Sequence, residues 1–284
     1  MHGLGQVRVL SPEHVLGFPP TALGDALDRG DILGHPVHEP SNPSSVTQAQ
    51  GGRETVESRA RVRGWGVQRS RRVDPGPGRG TLLLADISGY TAFLQAVARA
   101  HAVDLAAGTF VPEAYPLLTR LLDGIVERVT PPFVLSEIEG DAVFAFAPDH
   151  DLELRGASVL ACLAGCYEAY RAHLEAARER MPCTCEACSS ISGLDLKFVM
   201  HHGDYVVQSI AGLQKVLGPD VTIAHLLLKN HVRDVVGRSA YALFTASAAT
   251  RLEVPLDHAH VIAERYPHYP TIRGYVLTLP LHQG

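Results

Sequence analysis

Apolar positions change their rhythm along this chain, and each change predicts an element. Across residues 81–87 they run unbroken into a polar Ser88-Gly89 turn, the pattern of a buried strand. Leu117, Leu118, Leu121, Leu122, Ile125, Val126 and Val129 recur at helical spacing, predicting a long amphipathic helix within residues 104–129. Runs at 133–138 and 142–147 flank Glu139-Gly140-Asp141 and predict a hairpin. Leu154, Leu160, Leu163, Tyr167, Tyr170 and Leu174 trace another helix that stops by Pro182. Residues 194–200 and 205–210 read as a second hairpin turning at Gly203-Asp204. Beyond it, 221–232 reads as helix, 240–244 as strand, 246–252 as a short helix and 274–279 as a last strand. This order is that of an α+β fold, one mainly antiparallel sheet with helices packed on it.

Residues 1–80 break the rhythm. They hold 13 of the 26 glycines, 8 of the 19 prolines, ten arginines and no lysine. Few apolar side chains are there to offset the entropy of ordering such a segment. The expectation is a disordered stretch ending in the linker Asp74-Pro75-Gly76-Pro77-Gly78-Arg79-Gly80, followed by one domain over 81–284. Two other readings of the segment are a basic docking tail, from the arginines of residues 53–72, and a translation artefact of a mis-assigned start codon.

Composition narrows the class. With 284 residues, 46% hydrophobic and 19% charged, the chain is neither collagen-like nor disulfide-stapled. Twenty-five basic against 30 acidic side chains argue against a general nucleic-acid binder. No apolar run reaches the ~18–20 residues of a membrane span. Met1-His2-Gly3-Leu4-Gly5 does not open a secretory signal. Five cysteines, an odd number, read as reduced thiols or metal ligands, so a cytoplasmic setting is expected.

Two segments carry candidate chemistry. In Leu84-Ala85-Asp86-Ile87-Ser88-Gly89-Tyr90-Thr91 an aspartate ends a buried strand before a turn into a helix. In Ser136-Glu137-Ile138-Glu139-Gly140-Asp141-Ala142 another sits at a hairpin tip. If strand and hairpin are neighbours, both carboxylates leave the same end of the sheet. Two carboxylates beside exposed helix-start amides fit Mg²⁺ and a triphosphate, because Mg²⁺ completes its shell with phosphate oxygens and water. The plain alternative is a helix cap at Asp86 and a turn residue at Asp141.

These segments resemble the metal-binding motifs of the class III nucleotide cyclases, the adenylate and guanylate cyclase family. Asp86 through Thr91 resembles Asp-Ile-x-Gly-Phe-Thr with tyrosine for phenylalanine, and Gly140-Asp141 resembles the family's hairpin. Met200-His201-His202-Gly203 is similar to its Ile-His-x-Gly strand end, and residues 218–229 fall on its Gly-Asp-x-Val-Asn-x-Ala-x-Arg segment. The resemblance spans about residues 81–280 and points to a divergent bacterial branch. It implies a ferredoxin-like cyclase fold and a homodimer with the site between subunits. It implies Mg²⁺ or Mn²⁺ on Asp86, Asp141 and the Ile87 carbonyl, and ATP or GTP closed to a 3′,5′-cyclic nucleotide and pyrophosphate.

The chain also departs from that pattern. The family's transition-state Asn and Arg fall on Thr222 and Leu226, and leucine cannot neutralise a phosphate. Lys229, His225 and His231 are the candidate substitutes. Glu137 and Lys215 occupy the base-reading positions in the reverse order from an adenine-reading pair, or form an ordinary ion pair. Cys183, Cys185 and Cys188 place three thiols in one loop, as Zn²⁺ prefers, with His173, another histidine or a residue across a dimer as fourth ligand. Redox-sensitive or merely structural thiols are the alternatives there. Cys162 and Cys166, an i, i+4 pair on the preceding helix, read as core. His201 and His202, at a strand end near the cleft where function is often placed, read first as satisfied structural histidines. Three functions stay open: a catalytically impaired, regulatory cyclase-homology domain that binds a metal–nucleoside triphosphate; an active cyclase; and a zinc-binding scaffold or sensor.

Overall fold

The computed structural model describes residues 72–108, 110–211 and 213–280, with the side chain of Leu213 excepted. The expectations for residues 1–71 lie outside the described residues. Strand β1, Gly76–Ser88, runs through the middle of the sheet and is buried from Gly80 to Ile87 because both of its faces are covered. Leu83, Ala85 and Ile87 pack under helices on one face, while Leu82 and Leu84 pack on the other. That is why this strand shows no polar alternation.

The strand begins earlier than the sequence predicts. Residues 76–80, read as linker, are its first part, paired with β4 from Gly76↔Val207 to Gly80↔Gly203. Pro77 is tolerated because β3 pairs with β1 only from Gly80 onward, so one side of that stretch carries no ladder. Gly78 lies under the Tyr205 ring, where a Cβ would come within 2.6 Å of a ring carbon.

Helices α1 (Tyr90–Ala100), α2 (Ala102–Ala107) and α3 (Ala114–Val129) follow β1. The long helix expected within 104–129 is α3, which carries every position from Leu117 to Val129, with the short α2 before it. Gly108, in the left-handed region at φ 63°, ends α2, and Pro112 stands before α3. Strands β2 (Val134–Glu139) and β3 (Ala142–Pro148) form the predicted hairpin, with Gly140 at φ 63° in its turn. A bulge interrupts their register between Leu135 and Glu137. Helix α4, Ala157–Arg180, then leads to the short α5, Glu186–Ser189, and a 3₁₀ turn, Ser190–Gly193.

Strand β4 corrects the second hairpin. It is one strand of 16 residues, Asp195–Ile210, and the reversal comes after it, before β5 (Leu213–Leu217). Gly203 is extended backbone in mid-strand. It is there for close approach, since a Cβ would meet the Asp220 carboxylate at 2.3 Å. Helix α6 (Pro219–Leu226), a 3₁₀ turn (Leu227–Lys229) and α7 (Val232–Val236) replace the single helix expected over 221–232. Asn230 breaks it, donating to the Leu227 carbonyl at 2.6 Å and accepting from the Val232 amide at 2.9 Å. Strand β6 (Tyr241–Thr245), helix α8 (Ala246–Arg251), β7 (His260–Glu264) and β8 (Ile272–Thr278) complete the order. The pattern missed β7 because three of its five residues are exposed.

The strand order is β2-β3-β1-β4-β6-β8-β7, with β5 paired to β4 alone. Every pairing is antiparallel except β4 with β6. The first four strands and their helices have the ferredoxin-like βαββαβ arrangement that was expected. Helices α1, α3, α4 and α8 cover one face, and α6 and α7 cover part of the other. Among the described residues, no helix is long and apolar enough to cross a membrane.

The spacing of β1 and β3 is set by glycine. A Cβ at Gly80 would lie 2.1 Å from the Ala147 carbonyl oxygen, a backbone atom that cannot swing aside. Gly80→Ala should lower stability by about 1–3 kcal/mol, read as a lower urea midpoint. An unchanged midpoint would show that these strands are not held at this separation.

Candidate functional site

Strand register brings the two predicted aspartates together. Asp86 pairs with Ala142 at the far end of β1, so the β2–β3 turn rises beside it. The Ile87 amide donates to the Asp141 carbonyl at 3.3 Å, and the two carboxyl groups lie within hydrogen-bonding reach. Burial and then the Asp86 charge push the Asp141 pKa up to about 6. Helix α1 starts directly after Gly89, at φ 88°, and no side chain caps its first turn. Tyr90, its first residue, is close enough to Asp141 that its phenol pKa is raised, by burial first and that charge second.

One cation already stands at this pair. Lys197 is opposite Asp86 across the β1–β4 ladder, and its ammonium lies 2.7 Å from Asp86 Oδ2. It also donates to the Leu228 carbonyl at 3.1 Å, which ties β4 to the turn after α6. Two carboxylates and one ammonium leave a single negative charge when both acids are ionised. A divalent ion on both carboxylates would share Asp86 with an ammonium.

Around the pair the expected groups divide. Thr222 is exposed and back-bonds to the Gly218 carbonyl at 3.2 Å. Leu226 is half-buried, and Lys229 is exposed at the end of the following turn. Helix α6 therefore offers neither an amide nor a guanidinium at those two positions. His225 pairs with Glu139 at 3.3 Å and meets Phe144 edge-on, with centroids 4.9 Å apart. Glu137 and Lys215 form an ion pair between β2 and β5, so each is the other's partner.

The other histidines are held. His201 contacts Thr245 Oγ1 at 3.0 Å and Asp220 Oδ1 at 3.1 Å, and burial lowers its pKa. His202 reaches both oxygens of Asp149, which also accepts from Arg251 Nε at 2.8 Å. His231 Nδ1 lies 3.0 Å from Glu264, which raises its pKa.

The three loop cysteines converge on a histidine the sequence reading did not name. His101 Nε2 is 3.3 Å from Cys188 Sγ, 3.5 Å from Cys185 Sγ and 3.7 Å from Cys183 Sγ. The Cys188 amide donates to Cys185 Sγ at 3.4 Å and is the first cause of a lowered Cys185 pKa. His173 is elsewhere, packed against Gly124 on α3. Cys162 and Cys166 sit on α4, and burial pushes the Cys166 thiol up to about 12. Lys197 and His101 had no local signal: one needs a strand register, and the other lies 82 positions before Cys183.

A family described as a protein of unknown function, DUF2652, matches residues 118–235. An uncharacterized protein of Mycobacterium tuberculosis, Rv2561/Rv2562, is 29% identical over 162 residues, 54% of this chain and 72% of that protein. Among solved structures, the guanylyl cyclase Cya2 is 12% identical, with 72% of this chain and 93% of that one covered at a TM-score of 0.49. The adenylyl cyclase CyaB from P. aeruginosa is 15% identical, with 75% and 100% covered at 0.47. At such identities and scores, neither likeness bears on chemistry.

Two outcomes test the carboxylate pair. The folded-state pKa of Asp141, about 6, lies above the ~4 of an unfolded aspartate, so the folded chain binds that proton more tightly. Its contribution to stability is full below ~pH 4 and is lost as pH rises through about 6. Asp141→Asn should therefore gain stability relative to wild type between those values, and a pH-independent difference would separate the carboxyls. Lys197→Met should cost up to roughly 3–5 kcal/mol in metal-free buffer by leaving Asp86 uncompensated. Millimolar Mn²⁺ should then raise the melting temperature of this variant more than that of wild type. Equal melting shifts would mean that no divalent ion enters the pair.

Proposed function

We propose that this domain binds a nucleoside triphosphate with Mg²⁺ or Mn²⁺ and acts through occupancy, with catalysis impaired. The observation that carries the reading is the meeting of Asp86 and Asp141 beside the uncapped start of α1. Like charges held together at partial burial are costly unless a proton or cation joins them, and that is the condition of a divalent-ion site. The carbonyl of Ile87 supplies a third oxygen. The bound ions would supply Lewis acidity toward the phosphate oxygens.

On this reading, turnover is weak because of this chain's own residues. Asp86 and Asp141 would hold the metal, and the α1 amides would face the negative charge of the phosphates it carries. Leaving-group charge would find at Thr222 and Leu226 one hydroxyl already bonded to the Gly218 carbonyl and no charge. Loss of one such contact costs on the order of 10²–10³ in rate. The motif resemblance adds a homodimer, with the nucleotide held between two copies. Glu137 and Lys215, as a bonded pair, would have to part to read the base of ATP or GTP.

Calorimetry of the full chain with Mn²⁺-ATP and Mn²⁺-GTP should show binding of one of them, abolished by Asp86→Ala. Thr222→Asn with Leu226→Arg should raise cyclic nucleotide formation by up to ~10²-fold. Wild-type protein that binds neither nucleotide at millimolar concentration would overturn the reading.

A further inference from the structure

We infer that His101, Cys183, Cys185 and Cys188 bind one Zn²⁺ in a closed, structural site that fastens α1 to the entrance of β4. The inference is independent of the nucleotide reading.

The geometry is that of a tetrahedron without its centre. One ligand atom from each of the four residues lies within 4.8 Å of all the others. Zinc with bonds of ~2.3 Å to sulfur and ~2.0–2.1 Å to nitrogen sets neighbouring ligands about 3.5–3.8 Å apart. The three His101–sulfur distances, 3.3, 3.5 and 3.7 Å, fall close to that range.

Hydrogen bonds within the cluster, including those between the thiols themselves, are weak because S–H is a poor donor and sulfur a poor acceptor. The Nε2 of an imidazole carries one proton or one lone pair, so it satisfies one thiol and not three. Three sulfurs around one ring nitrogen gain their stabilisation from a shared cation. The surroundings also fit a thiolate–metal centre. The Cys188 amide points at Cys185 Sγ, offsetting its negative charge. On the other side of the ring, Asp104 Oδ2 lies 3.9 Å from His101 Nδ1, beyond hydrogen-bond distance but near enough for its negative charge to favour a cation on the ring. Three sulfurs and one nitrogen select zinc over Mg²⁺ or Mn²⁺, and four protein ligands leave no open position for catalysis.

The connections explain what the ion does. His101 stands between α1 and α2, while the cysteines lie between α4 and β4. Alpha-1 issues from the end of β1 that carries Asp86, and the turn after α5 enters β4 at Asp195, opposite Ser88. Zinc thus closes 82 positions of chain and braces both strands that hold Asp86 and Lys197.

Full-length protein from zinc-supplied cells, gel-filtered under reducing conditions, should contain close to one equivalent of zinc. Cobalt replacement should give thiolate charge-transfer and tetrahedral d–d absorption. Zinc should shield the three loop thiols from a thiol reagent in native protein. His101→Ala should bind zinc at least roughly tenfold more weakly, whereas His101→Cys, which restores a fourth ligand, should retain it. Asp86→Ala should keep its zinc, which separates this site from the nucleotide site. Less than about a tenth of an equivalent, a disulfide in place of the metal, or equal zinc affinity in His101→Ala and wild type would overturn the proposal.

Discussion

Thirteen consecutive pairings between β1 and β4, from Gly76↔Val207 to Ser88↔Asp195, are the constraint on which the molecule depends. A slip of one residue would send every side chain of β4 to the other face. Lys197 would leave Asp86, and the paired histidines His201 and His202 would exchange their partners Asp220 and Asp149. The glycines at the crossing, Gly80 opposite Gly203, let neighbouring atoms close in on both strands. Backbone hydrogen bonds thereby fix the spacing within which the side-chain chemistry operates.

Electrostatics at the end of that ladder separates holding an ion from using it. Lys197 makes the buried Asp86 tolerable in the absence of metal, so the fold does not require a divalent ion there. Asp141, half-exposed and raised in pKa, is the partner whose charge responds to what arrives. Helix α6 contributes packing through Val221, Ile223 and Ala224, and its positions 222 and 226 add no charge. The two aspartates thus meet at the sheet end while α6 adds neither an amide nor a guanidinium side chain at positions 222 and 226.

Much of this was legible because it is local. A buried run ending in Asp86, and a glycine turn carrying Asp141, each announce an element within a dozen residues, and their meeting follows from one strand pairing. The ferredoxin-like order became legible through motif resemblance, since apolar spacing alone does not fix strand order. Gly203-Asp204 misled because a glycine marks either a turn or a close approach, and here Asp220 fills the space. Prolines and glycines over 74–80 read as linker, although a strand with one open side accepts them. Nothing near Cys183 names His101, because the fold alone brings them together.

The irregularity in β2 has a consequence for how this molecule meets others. A sheet rim with regular, unpaired peptide groups invites another chain to add itself as a further strand. Here the outer strands are β2, kinked between Leu135 and Glu137, and β7, only five residues long; β5, also five residues, pairs with β4 alone, and β1 lacks β3 on one side before Gly80. Among the described residues, none of these edges offers a long, straight template for amyloid-like or donor-strand growth. Short and broken edges of this kind disfavour generic backbone adhesion between copies.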